Sequence, residues 1–93
     1  MPDMRLLHSF IELAPFVRAR EAYGVDDGEF AELQLALAAA PESGGVIPGS
    51  GGCRKFRWRA QGRGRHGSYR VIHFLPAIEG SIVLVLPVRQ ERA

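Results

Sequence analysis

Between positions 54 and 70 the chain carries seven cationic side chains, Arg54, Lys55, Arg57, Arg59, Arg63, Arg65 and Arg70, and no acid interrupts residues 43–78. Guanidinium groups dominate, with eleven arginines to one lysine in the whole chain. A guanidinium keeps its charge and presents a planar fork of donors, which matches the oxygens of a phosphate better than an ammonium does. The block also spells G-x-G-x-x-G at Gly62, Gly64 and Gly67. Net charge is only +2, but it is unevenly spread. Residues 1–42 set eight acids against three arginines, and residues 43–93 set nine bases against two acids. A field of that sign over the second half favours a polyanionic partner.

Several phosphate-binding chemistries are excluded by what surrounds the block. A dinucleotide fingerprint needs a strand before the glycines, a helix after them and an acid about 20 residues on; here a strand pattern follows and no such acid stands near Pro87. A kinase glycine-rich loop needs a lysine, a catalytic loop and a metal-binding Asp downstream, and the remaining residues cannot hold them. GSGGCRK is no Walker loop, since no Gly-Lys-Ser/Thr follows the required gap. No His, Cys, Asp and Glu cluster shows ligand spacing, so neither a metal nor a cofactor is expected. Cys53 is the only cysteine and reads as a small strand-filling residue.

The elements that must position these cations follow from pattern. With 93 residues, 46% apolar and 24% charged, the chain reads as a single globular domain over residues 1–93. Its longest apolar run, IVLVLPV at 82–88, is far short of the roughly 20 residues of a membrane helix. The opening MPDMRLLHSFIELAPF does not read as a signal peptide, which predicts a cytoplasmic protein with no membrane partner. Residues 4–11 predict a first strand. Pro15 suits the first turn of a helix that stops at Gly24. Asp26 and Glu29 have capping-box spacing, and Phe30, Leu33, Leu37 and Ala40 then recur with helical period until Pro41. Five glycines and two prolines make residues 41–52 a loop. From Arg54 the period becomes two, with Phe56 and Trp58 on the face of Arg54, and Lys55, Arg57 and Arg59 on the other. A loop at 62–67, a strand at 69–75, a tight connection at 77–80 and a central strand at 82–88 complete an α+β domain. Its order is strand, helix, helix, strand, strand, strand, with a helical hairpin on one face of a small, mostly antiparallel sheet.

The run VIPGSGGCRKFRWRAQGRGRHGSYRVIHF resembles the RelE/HigB superfamily of bacterial type II toxins, in particular its HigB-like branch. There, V-I-P-G-T-G-G-L-R-K-L-R followed by G-R-G-K-x-G-G-x-R-V-I-Y-Y is the most recognisable feature, and the similarity extends over roughly residues 9–91. The resemblance implies the RelE-like fold and a ribosome-dependent mRNA endonuclease that inhibits translation. It also implies a cognate antitoxin, of helix-turn-helix type, that holds the enzyme silent. Such enzymes use no metal: the RNA 2′-hydroxyl attacks the adjacent phosphorus, giving a cyclic phosphate and a 5′-hydroxyl. The alternative is a relative that binds RNA or its antitoxin without cutting.

By position, Arg54, Lys55 and Arg57 match the family's R-K-x-R and are expected, with Arg59, Arg63 and Arg89, to hold the RNA backbone. Arg70 matches the arginine of R-V-I and is expected at the scissile phosphate. Arg65 replaces a usual lysine in the basic loop and, on the resemblance, is expected among the catalytic residues with Arg70 and His73. His73 stands where a tyrosine is common, and Pro87 and Arg89 replace a tyrosine and a lysine. His73 or His66 could transfer protons in the missing tyrosine's stead. Alternation also puts His73 on the face of Val71 and Leu75, which suits a packed histidine equally.

Overall fold

The computed structural model describes residues 8–59, 68–78 and 80–89. The elements are β1 (Ser9–Glu12), α1 (Ala14–Tyr23), α2 (Asp27–Ala39), β2 (Gly45–Val46), β3 (Arg54–Arg59), β4 (Ser68–Phe74) and β5 (Ser81–Arg89). They form an α+β fold in which two helices pack on a five-stranded mixed sheet of order β1-β5-β4-β3-β2. β1 runs parallel to β5, and the other pairings are antiparallel. The expected order therefore holds with one addition: the glycine-rich segment expected to be only a loop contributes the short edge strand β2. The first described strand is Ser9–Glu12, and residues 1–7, which include the expected start at residue 4, lie outside the described residues.

The helix boundaries follow local chemistry. Pro15 sits in the first turn of α1, where its missing N–H has no intrahelical partner to lose, and Gly24 closes the helix in the left-handed region at φ 74°. Asp26 Oδ1 accepts from the Glu29 N–H at 2.8 Å, and Glu29 Oε1 accepts from the Asp26 N–H at 3.1 Å. This reciprocal capping box explains how Glu29 can be buried while carrying a carboxylate. Phe16 and Arg20 of α1 both pack on Phe30 of α2, which ties the helical hairpin together.

Both helices cover the same face of the sheet. Phe16, Leu33 and Leu37 from the helices meet Trp58, Tyr69, Val71, Ile82 and Leu84 from β3, β4 and β5 in one core. Strand alternation carries this core directly: β4 alternates half-buried and buried along its length. β5 breaks the alternation once. Ile72 pairs with Leu86 while His73 pairs with Leu84, which leaves Val85 as the extra residue of a β-bulge. Past the bulge, the odd-numbered Pro87 and Arg89 turn to the face that Ile82 and Leu84 occupy before it. Pro87 is tolerable there because β1 ends opposite Leu84, so the far end of β5 is paired on one side only.

Gly44 and Gly45 differ sharply in what they permit. Gly44 has φ 87°, and a Cβ there would overlap the Lys55 carbonyl. At Gly45 a Cβ meets nothing within 4 Å. Gly44→Ala should lower the unfolding free energy by about 2 kcal/mol or more, whereas Gly45→Ala should stay within about 0.5 kcal/mol of the parent in urea denaturation.

Candidate functional site

The face of the sheet away from the helices carries the cations. On β3 and β4, Arg57 lies directly opposite Arg70 and Lys55 directly opposite Ile72, while Gly45 of β2 pairs with Lys55. Gly45, Lys55, Arg57 and Arg70 line a hollow of about 180 Å³. Gly45 contributes no side chain to this wall, which leaves the space beside Lys55 open. Lys55, Arg57 and Arg59 are exposed, and Arg70 is half-buried between its neighbours. The Nε of Arg70 is buried and makes no hydrogen bond.

Two features of this arrangement work against stability. Like charges directly opposite on neighbouring strands repel, and a buried donor without an acceptor loses its hydration with nothing in return. The ion pair formed within the described residues, Arg20 to Glu12 at 3.1 Å, belongs to the helix side. A phosphate in the hollow would relieve the first of these costs, because its charge offsets the Arg57 and Arg70 repulsion.

Three residues expected at an RNA site lie elsewhere. His73 is 0% exposed on the helix side, with its ring edge-on to Phe56. Its Nε2 is 2.9 Å from the Pro41 carbonyl, which can only accept, so Nε2 carries a proton. Its Nδ1 is buried without a partner. His73 therefore packs in the core and does not reach the cationic face. Arg54 pairs with His73 across the strands, on the same helix-side face. Its Nη1 donates to the carbonyls of Glu42 at 2.9 Å and Gly44 at 3.1 Å, so it braces the segment after α2. Arg89, turned inward by the bulge, stacks over Tyr23 and donates from Nη2 to the Tyr23 carbonyl at 3.2 Å, at the end of α1. There it meets an orphan helix carbonyl and the negative end of the helix dipole.

Arg63, Arg65 and His66 fall in residues 60–67, outside the described residues. Gly45, which sequence pattern did not single out, is the addition to the site. Its signal was available only as one of a pair of glycines, because its role depends on β2 pairing with Lys55. Among the described residues no three His, Cys, Asp or Glu side chains gather as a metal-ligand set, and no helix is long and apolar enough to cross a membrane.

The division between bracing and open-face cations is testable by stability alone. Arg89→Ala should cost about 1 kcal/mol in urea denaturation through the lost carbonyl bond and ring contacts. Arg57→Ala should leave the midpoint unchanged or raise it, since it removes one partner of a repelling pair. No protein-family model matches this chain, so the geometry of the open face carries the functional interpretation.

Proposed function

We propose that this chain is the toxin of a type II toxin–antitoxin pair, a metal-independent, ribosome-dependent endoribonuclease that cuts mRNA in the cytoplasm. The observation that carries the proposal is the opposed pair Arg57 and Arg70, with Lys55 beside them, facing an open hollow and paired with no described carboxylate. The antitoxin, of helix-turn-helix type, and the ribosome are partners within this proposal, as the motif resemblance implies.

In the proposed reaction the 2′-oxygen of the RNA bonds to the adjacent phosphorus and the bond to the 5′-oxygen breaks. The 2′ proton passes to a base, and the leaving 5′-oxygen gains a proton, so the products are a 2′,3′-cyclic phosphate and a 5′-hydroxyl. Arg70 bears on the phosphoryl oxygens, where charge accumulates in the transition state, and its place on a strand holds the guanidinium more firmly than a loop would. Lys55, Arg57 and Arg59 hold the flanking backbone. The described part of the open face offers no imidazole or carboxylate, so proton transfer in this scheme falls to His66, which lies outside the described residues.

The second interpretation, an RNA or antitoxin binder that does not cut, is favoured by one specific observation: His73, the histidine placed where relatives carry tyrosine, is enclosed in the core.

Induced expression with mapping of mRNA 5′ ends separates the two. Wild type should arrest growth and create new 5′ ends, and Arg70→Ala should lose cleavage by on the order of a hundredfold or more while keeping antitoxin binding and thermal stability. Absence of new ends from wild type would leave the non-cutting interpretation. Cleavage should also persist in chelator when ribosome integrity is preserved; loss restored by one particular added metal ion would overturn the mechanism. Binding to single-stranded RNA through four or five phosphates should weaken with salt at a log–log slope of roughly −3.

A further inference from the structure

Arg54 and His73 are directly opposed on β3 and β4, and both bond to main-chain carbonyls of one short segment after α2. His73 Nε2 holds the carbonyl of Pro41, and Arg54 Nη1 holds those of Glu42 and Gly44. That segment leads straight into β2, whose Gly45 forms a wall of the cationic hollow on the opposite face. β2 has only two residues and lies at the sheet edge, so its ladder pairing alone is weak. Gly44 approaches the Lys55 backbone so closely that no side chain fits between them, which means the spacing of β2 from β3 is tightly set.

We propose that Arg54 and His73 form a cross-strand clamp that fixes β2 and thereby sets the shape of the anion hollow from the far side of the sheet. Neither residue touches the hollow; both are positioning residues. The inference rests on the proposal that the open face binds RNA, and it assigns to two residues expected at the RNA a role in shaping the site instead. Arg54 in particular adds no phosphate contact. Its charge is directed to carbonyl oxygens on the helix side.

The test compares Arg54→Met, His73→Leu, His73→Gln and, as a contact control, Arg57→Met. Each is measured well below its melting temperature for amide exchange in β2 and at Ile47, whose N–H bonds to the Cys53 carbonyl at 2.8 Å. Affinity for a single-stranded RNA oligomer is measured across a salt series. Arg54→Met and His73→Leu should speed exchange at these amides and weaken RNA binding roughly tenfold, since small misplacements of a binding wall are costly. Their salt slopes should match wild type, whereas Arg57→Met should flatten the slope by about 0.7. His73→Gln, whose amide can still donate to Pro41, should restore both readouts toward wild type.

Unchanged exchange in Arg54→Met overturns the clamp. Faster exchange with full RNA affinity overturns its influence on the hollow, and a flattened slope in Arg54→Met returns that residue to the phosphate contacts. Should His73→Leu fail to fold, Arg54→Met decides alone. If wild type binds no RNA, the nucleic-acid proposal falls separately, and β2 exchange still decides whether the clamp exists.

Discussion

Both helices lie on one face of the sheet, and this constraint governs the rest of the molecule. Each side chain of β3, β4 and β5 must face either the helices or the open side, because successive residues of a strand point to opposite faces. Phe56, Trp58, Tyr69 and Val71 turn inward and, with Ile82 and Leu84 of β5, supply the sheet's share of the core. Lys55, Arg57 and Arg70, interleaved with them, have no choice but the open side. The core and the cationic face are therefore two consequences of one alternation. The strands that bear the repulsion between Arg57 and Arg70 also bury Trp58, Tyr69 and Val71 in the core, which offsets what the open face costs.

The same constraint divides the arginines into two populations. Those reaching the helix side meet main-chain carbonyls: Arg89 at Tyr23, the last residue of α1, and Arg54 at Glu42 and Gly44, just past α2. α2 has no basic residue in its last turn, and Arg54 brings a cation to that neighbourhood from the sheet. Carbonyl oxygens that helices leave unsatisfied are natural partners for guanidinium groups. Among the described residues, the arginines on the open side have no such acceptors. A dense basic stretch in the sequence thus becomes bracing on one side and an exposed cationic surface on the other.

This division sets what could be read without coordinates. The capping box at Asp26 and Glu29, the stop at Gly24 and the alternation in β3 depend on neighbours within a few residues, and each appears where local pattern puts it. β2 was not legible, because two residues of strand in a glycine-rich segment have no periodicity and exist only through pairing with Lys55 and Arg54. Arg89 illustrates a different limit. Alternation continued from Ile82 and Leu84 would put it on the open face, and one extra residue, Val85, reverses that. Local pattern allowed His73 either role, and its burial is settled by a carbonyl 32 residues earlier in the chain.

The open face concentrates charge of one sign. A sheet surface selected only for solubility would intersperse acids among its cations, as surface charges of mixed sign avoid the repulsion that single-sign clusters incur. Instead Arg57 and Arg70 stand opposed, the Arg70 Nε lacks an acceptor, and Gly45 leaves room where any other residue would begin to fill the hollow. Each feature on its own costs stability or gives up packing, and all three occur at one place. A single anionic group would offset the repulsion and occupy the space beside Gly45. Under the proposed function, an anion of phosphate-like shape and charge is the ligand whose charge this face would balance, because cations fixed on strands meet it at little cost in reorganisation.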